Sequence, residues 1–477
     1  MKKYILFIAG ILSLASFTSC KQALIEQMHS AIAANNFYQT ATDAETALNG
    51  AFSPLRDQLY YQRTNWCITD LSADIFRVAN GNAPRLEYQM GLQSATNNLS
   101  KNYWMFTYQM IKNANDVIEH VPGINMDVTE RNSVVGNAYF LRAMGYFDLV
   151  RIFGSVPLVL KNTADQNLFP KRTSGDSIYV QVINDLLFAE ANCVHTDALP
   201  ASQIGRVTSE AASSMLARVY LQRASTSFAA ATDNQNSLTE CNKVISYSGS
   251  HPDLLTLVPS YASIFNPDTP NGPECIFSIQ FGGFDYPSDN LISVSFTPTS
   301  APYYGYGSFL PYASFVNAFD SIDNRKVVNV GIKDGANTII SKYVDPSFGY
   351  TGERDNWVVL RYADILLMQS EALNNINAGD VTKFDGINAV RTRAGLGSKL
   401  LNTGNTATSA DFINALDHER LCELAIEGVR RYDLIRWNKF LSVKAAQGYN
   451  VDQNHLIFPI PQNELDVNKN LTQNPGY

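Results

Sequence analysis

Between Gly136 and Phe153 the chain has little conformational choice. Ala138, Leu141, Gly145, Leu149 and Ile152 recur at i, i+3, i+7, i+11 and i+14, the period of one helix face, and Tyr146, Phe147, Val150 and Phe153 widen the stripe. A helix this apolar must be buried on most sides, so other helices have to surround it. Gly154 followed by Pro157 marks its end, a flexible residue at the cap and then one that cannot continue the helix. A second helix is predicted after Thr208, whose hydroxyl can cap it, with Ala212, Met215, Leu216, Val219 and Tyr220 on one face.

From about residue 40 to 250 the sequence keeps this helical texture, with short polar loops and small residues where helices would touch. The lengths and the alternation of small with aromatic residues look like tetratricopeptide-type helix pairs, although no strict internal period is present. Between about 255 and 357 Pro, Gly, Ser, Asn and Tyr dominate and helical periodicity fades. Cys275 to Phe281 can form a strand there, and the long loop from Gly282 to Pro311 implies a task. Helices are predicted again over Val359 to Asn374, Phe384 to Arg393 and Phe412 to Val429, before an irregular Pro/Asn-rich tail from Ile457 to Tyr477.

The start of the chain reads as an address. Lys2-Lys3, an apolar stretch from Tyr4 to Ala15 and Ser16-Phe17-Thr18-Ser19-Cys20 form a secretory signal of the bacterial lipoprotein kind. An ordinary signal would be cut after a small residue and leave a soluble protein; cleavage before Cys20 leaves a thiol that can carry diacylglycerol. Residues 1–19 are expected to be removed, and the remainder divides into a helical region, 20–250, and a second region, 251–477, which is loop-rich over 255–357. No apolar segment after Cys20 approaches the length of a membrane span, so lipid on Cys20 would be the sole membrane contact.

Net charge is −8 for the whole chain and more negative once Lys2 and Lys3 are removed, so the basic footprint of a nucleic-acid binder is missing. Apart from Cys20, Cys67, Cys193, Cys241, Cys275 and Cys422 lie far apart with no C-x-x-C spacing, which favours buried thiols over a disulfide framework or a zinc site. Enzyme signatures fail in turn. His418-Glu419 lacks the second His of a metalloprotease helix, Gly305-Tyr306-Gly307 lacks a third glycine and a following helix, and there is no P-loop or G-x-S-x-G. No catalytic residue, metal or cofactor is assigned. Glu419, Glu423 and Glu427 would lie at i, i+4 and i+8 on one helix face, where unrelieved like charge is destabilising. The expectation is a charge network with nearby arginines that ties this helix to its neighbours, in preference to an acidic metal or substrate site.

A family resemblance rests on five stretches. They are Thr42-Asp43-Ala44-Glu45-Thr46-Ala47-Leu48-Asn49-Gly50; Trp104 with Tyr108, Ile111, Asn113, Ala114 and Asn115; Phe140-Leu141-Arg142-Ala143 through Tyr146-Phe147-Asp148-Leu149-Val150-Arg151 to Val156-Pro157-Leu158; Leu360-Arg361-Tyr362-Ala363-Asp364 with Glu371-Ala372 and Val390-Arg391-Thr392-Arg393-Ala394-Gly395; and Glu419-Arg420, Glu423-Leu424, Glu427-Gly428, Arg431 and Asp433-Leu434-Ile435-Arg436-Trp437. With the tail from Pro459-Ile460-Pro461 to Gln473-Asn474-Pro475-Gly476-Tyr477, they resemble the SusD/RagB nutrient-binding lipoproteins of Bacteroidetes outer membranes. The resemblance implies a mostly α fold, tetratricopeptide-like helix pairs framing a loop-rich irregular part with little β structure. It also implies a SusC-like TonB-dependent outer-membrane porin as partner, capture of an oligosaccharide or sometimes a peptide at the cell exterior, and no reaction. The quoted Arg and Asp residues read as fold determinants. Outward exposure follows from the family alone, because Lys21-Gln22-Ala23 after the anchor carries no acidic signal.

Binding a sugar needs exposed aromatic faces flanked by groups that exchange hydrogen bonds with hydroxyls. Of the 24 Tyr, 25 Phe and 4 Trp, two loops combine both. One runs from Phe76-Arg77 through Asn80, Asn82 and Arg85 to Tyr88. The other holds Phe284-Asp285-Tyr286 and Tyr303-Tyr304-Gly305-Tyr306-Gly307-Ser308-Phe309. The candidate ligand residues are Arg77, Asn82, Arg85, Tyr88, Tyr286, Tyr303, Tyr304, Tyr306 and Phe309, and a packing or porin-facing role for the second loop competes with this reading. The function expected is non-catalytic glycan binding in aid of a transporter; a peptide-binding member of the family and a surface glycan hydrolase are the alternatives.

Overall fold

The residues described by the computed structural model are 37–162, 168–281, 292–345 and 354–477; Cys20, the signal segment and Tyr286 lie outside them. Helices α1 (Ala41–Phe52), β1 (Phe76–Val78), α2 (Ala83–Met90), α3 (Asn98–His120), α4 (Val128–Phe153), α5 (Gly175–Asn192), α6 (Ser209–Ala224) and α7 (Asp233–Ser250) make up the first half. From α3 to α7 each helix packs on the next, and α1 lies across α3 and α4. The predicted apolar helix is α4, and it is buried along most of its length. Its Gly145 is obligatory, because a Cβ there would sit 2.9 Å from Ile111 Cγ1 of α3. Thr208 caps α6 as expected, its hydroxyl accepting from the Ala211 amide.

After α7 the helical array is interrupted. The intervening segment contains β2 (Cys275–Ile279), α8 (Ile292–Phe296), β3 (Phe309–Pro311), β4 (Ile332–Asp334) and β5 (Asn337–Ile339) and ends in β6 (Trp357–Arg361). The array then resumes with α9 (Tyr362–Ile376), which packs on α7, and α10 (Lys383–Arg393), which packs on α9. Helices α11 (Ser409–Glu423) and α12 (Arg430–Arg436) precede the tail. Among the described residues the β strands form three two-stranded antiparallel pairs, β1–β3, β2–β6 and β4–β5, and one isolated antiparallel bridge joins Val156 to Thr173. The architecture is mostly α, as the sequence implies. The described cysteines are unpaired thiols, all buried except the half-buried Cys275.

Two predicted helices need revision. Val359 to Arg361 is strand, because Trp357–Arg361 is a short run buried on both sides that pairs with β2, and a continuous apolar run has no period by which to tell strand from helix. The helix predicted to Val429 stops at Glu423. Ile426 and Gly428 adopt φ values of +61° and +79°, so the chain turns sharply and Glu427 leaves the helix face shared by Glu419 and Glu423. The turn is held by the Gly428 amide, which donates to Asp70 Oδ2 at 3.0 Å.

Those three glutamates nevertheless converge in the buried charge network that the sequence anticipates. Arg361, at the end of β6, donates to Glu274 Oε1 at 2.8 Å, to Glu423 Oε1 at 2.5 Å and to Glu427 Oε2 at 2.7 Å. Arg325 reaches Glu419 at 2.5 Å, Glu423 at 2.9 Å and Asp323 at 2.8 Å; Arg391 pairs with Glu419, Arg393 with Glu423, and Lys342 with Glu427. Glu274, Asp323, Glu419, Glu423 and Glu427 are thus balanced one for one by Arg325, Lys342, Arg361, Arg391 and Arg393. Burial opposes the charge on Glu423, but Arg393, Arg361 and Arg325 outweigh it and hold its pKa well below the ordinary carboxylate range. A parallel set links the helices: Arg142 of α4 forks onto Asp185 of α5 at 2.8 Å, and Asp364 of α9 binds Arg218 of α6 and Arg420 of α11.

Glu423→Gln removes the charge that three arginines share and leaves them buried without it. It should destabilise the chain by about 3–5 kcal/mol, read as a lower urea midpoint at neutral pH. Asp70 behaves in the opposite sense. It is fully buried, with Oδ1 lacking a hydrogen-bond partner among the described residues, and burial raises its pKa to about 7 against the lowering hydrogen bonds from Thr69 and Gly428. The folded state therefore holds this proton between the unfolded value of 3.8 and about 7, and stability falls as pH rises through that window. The melting temperature of Asp70→Asn relative to the parent chain should accordingly climb between about pH 4 and about pH 8; a pH-independent difference would refute the assignment.

Candidate functional site

The two sequence-predicted loops, more than two hundred residues apart, meet as one small sheet. β1 pairs with β3 in the register Phe76↔Pro311, Arg77↔Leu310 and Val78↔Phe309, and the Ala79 amide extends the pairing by donating to the Ser308 carbonyl at 2.9 Å. Alternation along β1 turns Phe76 and Val78 inward and leaves Arg77 exposed. Beneath the sheet Phe76 and Phe309 join Trp66 and Phe296 in a buried cluster, with ring centroids 4.9 Å apart for Trp66–Phe309 and 5.0 Å for Phe76–Phe296. Edge-to-face pairs of this kind add about 0.5–1.5 kcal/mol each beyond the area they bury. Trp66 and Trp357 are buried, so both are packing residues.

On this foundation the Tyr303–Gly307 loop is latched backbone to backbone. The amides of Gly305, Tyr306, Gly307 and Ser308 donate to the carbonyls of Pro298, Val294, Thr297 and Ser295 at 2.6–3.0 Å. Position 305 has to be glycine: a Cβ would lie 2.1 Å from Thr297 Oγ1 and 2.5 Å from the Thr297 carbonyl. Tyr304 takes a left-handed φ of +51°, a conformation that costs a β-carbon-bearing residue on the order of 1 kcal/mol and persists where neighbouring contacts impose it. The result is that Tyr304 and Tyr306 remain 52% and 49% exposed, while Tyr303 is half-buried. None of the three hydroxyls has a hydrogen-bond partner among the described residues.

Helix α2 supplies the polar edge. Asn82 is its N-cap: Oδ1 accepts from the Arg85 amide at 3.3 Å, and the side-chain NH₂ has no acceptor among the described residues. Arg85 lies over the Phe309 ring, 4.9 Å from its centroid, and no acceptor among the described residues takes its guanidinium N–H groups. Burial draws its pKa below the ordinary value, and no carboxylate among the described residues pairs with it. α2 is fastened to β1 by Gln89, whose Oε1 accepts from the Val78 amide at 2.7 Å.

Two predicted ligand residues belong elsewhere. Tyr88 lies on the inner face of α2, fully buried, with its hydroxyl 2.5 Å from Ser100 Oγ and its ring against Phe458. Phe309 is fully buried as the core-facing residue of β3. Their aromatic rings support the surface and cannot offer it a face. What remains of the candidate is Tyr303, Tyr304 and Tyr306 on a loop that leaves two of the three about half exposed, and Arg77, Asn82 and Arg85 on the strand and helix that pair with and pack on β3. Reading the sequence missed the support from Trp66, Phe296 and Thr297; the G-Y-G spacing was its one visible trace. Among the described residues no three His, Cys, Asp or Glu side chains are placed to hold a metal ion.

Such a surface is complementary to ligands with apolar faces and hydroxyl rims. A family model described as "Starch-binding associating with outer membrane" matches residues 26–221, and the SusD family model matches 336–477. SusD-like protein P2 of Formosa agariphila is 28% identical over the full length of both chains. A SusD homologue from Bacteroides thetaiotaomicron superposes with a TM-score of 0.82 at 23% identity, covering 93% of this chain and 98% of its own. Surface glycan-binding protein A from Bacteroides fluxus gives 0.77 at 21% identity, covering 92% and 100%. No helix among the described residues is long and apolar enough to cross a membrane. With one model matching each end of the chain, a relative aligned over its whole length and the same fold in solved structures, the chain belongs to the SusD family.

Proposed function

We propose that this protein captures an oligosaccharide on the face of Tyr303, Tyr304 and Tyr306 at the cell surface, does not turn it over, and passes it to a SusC-like TonB-dependent porin. The observation that carries the reading is two half-exposed tyrosines held outward, one in a left-handed conformation, by a latched loop on a rigid aromatic base. Exposed aromatic area that is fixed in advance loses little conformational entropy on binding. Stacking would supply affinity, and the Arg77, Asn82 and Arg85 donors would select among hydroxyl patterns. The starch-binding description of the matching family model and a surface glycan-binding protein among the structural relatives point the same way.

Lipid on Cys20 would hold the protein to the outer membrane. Two or more acyl chains anchor stably, since each buried methylene contributes about 0.8 kcal/mol. Tethering raises the effective concentration of the binding protein at its porin, so pairing between them need not be tight.

Affinity electrophoresis or calorimetry against a panel of glycans tests the ligand face. Tyr304→Ala and Tyr306→Ala should each weaken binding by about 1–2 kcal/mol, roughly 5- to 30-fold in Kd, with the melting temperature unchanged. Tyr88→Phe should lower stability and leave Kd alone; glycan binding that survives loss of all three surface tyrosines would sink the assignment. Separately, Cys20→Ala should move the expressed protein from the membrane to the soluble fraction, and co-purification of the porin should be lost with it.

A further inference from the structure

A cavity of about 670 Å³ lies between the end of α4, the start of α5, the end of α6 and the C-terminal tail, and it shares no residue with the tyrosine face. Its walls are mainly apolar, with Val150, Phe228, Ile435, Leu456 and Ile457 among them. Three polar groups on these walls are incompletely answered. Arg172 donates from Nε to the Ser155 carbonyl at 2.6 Å, from Nη1 to the Thr472 carbonyl at 2.9 Å, from Nη2 to the Phe153 carbonyl at 3.5 Å, and from Nη2 to the Asn474 side chain. All of these acceptors are neutral. No carboxylate among the described residues pairs with Arg172, and burial alone draws its pKa downward. The second group is Gln222, 8% exposed, whose side-chain amide has no hydrogen-bond partner among the described residues. The third is Tyr179, 2% exposed, whose hydroxyl has none either.

We propose that this cavity is a second binding site, for a small molecule carrying one carboxylate on an apolar or aromatic body. Its volume falls in the range of small-molecule sites, and a mostly apolar lining with a few convergent polar groups is the usual composition of such sites. Hydrogen bonds to neutral carbonyls satisfy the geometry of a guanidinium and leave its charge unbalanced. One Nη1 N–H of Arg172 is still available, which suits a singly charged carboxylate. The Gln222 amide and the Tyr179 hydroxyl can meet its second oxygen or another polar atom, and Val150, Phe228 and Ile435 would cover the apolar body.

The test uses 4-phenylbutyrate and its uncharged counterpart 4-phenylbutanamide as probes, with binding to the mature chain followed by saturation-transfer NMR and calorimetry. The acid should bind at least about tenfold more tightly than the amide, a difference of about 1.4 kcal/mol. Arg172→Gln should bring the acid down to the level of the amide. Thr226→Trp, which adds bulk to the cavity lining and leaves Arg172 in the sequence, should abolish binding of both probes while glycan binding at the tyrosine face is retained. Equal binding of acid and amide to the parent chain, acid binding weaker than about 1 mM, or acid binding unaltered by Thr226→Trp would each overturn the proposal. The comparison of acid with amide on the parent chain decides the matter even where Arg172→Gln fails to fold.

Discussion

Burying Glu423 is possible only because arginines from three separate parts of the chain arrive at it together. A carboxylate transferred alone into a protein interior costs several kcal/mol after relaxation, so the side chain is stable there only with Arg325, Arg361 and Arg393 all in place. Those residues come from the interrupting segment, the end of β6 and the end of α10. Each can approach only if its own element is already docked, so a partly assembled chain would face the desolvation cost without the compensating attraction. The network therefore acts as a condition on assembly more than as a source of net stability, since a well-packed apolar junction of similar volume could be as stable.

The same junction fixes where the aromatic surface lies. Arg361 ends the strand that pairs with β2, and Lys342 and Arg325 fasten the segment leading away from β3. From there the order is carried outward by rings. Trp66, Phe76, Phe296 and Phe309 lock β1 and β3 against α8, and four consecutive amides then hold the Tyr303–Gly307 loop to the backbone around α8. The tyrosines are exposed because their backbone is committed elsewhere. An aromatic residue in a loose loop would fold back onto the protein to bury its ring; Tyr304 is kept from doing so by its imposed backbone geometry.

The helical part was legible because it depends on local signals. The stripe from Ala138 to Ile152, the cap at Thr208 and the excess of like charge at Glu419 and Glu423 each state a local requirement that the fold meets. Val359 to Arg361 was misread since a short apolar run carries no period, and Glu427 because nothing in Ile426-Glu427-Gly428 except the glycine announces a left-handed turn. In the candidate site the sequence located both loops and could not orient them. Tyr88 and Phe309 have the same composition signal as Tyr304 and Tyr306, and only contacts between residues far apart in sequence separate them: the β1–β3 pairing for Phe309, and the packing of α2 on Phe458 for Tyr88. Such pairing leaves no local trace in a three-residue strand.

The interruption of the helical array has a consequence for how this fold can diversify. α7 and α9 pack directly on one another, and the chain that leaves after Ser250 returns at Tyr362, whose amide donates to the Glu274 carbonyl at 2.9 Å. Departure and return are thus neighbours in space, so the packing of α7 on α9 does not set the length of the segment between them. Long insertions between fixed ends add little closure entropy, about 0.6 kcal/mol for each doubling of length. The segment can be lengthened, shortened or exchanged as a cassette, provided the charges and the strand pair at its base are kept. Exposed loops carried by the segment, Tyr303 to Gly307 among them, can then change in sequence and length while the helical array keeps its packing.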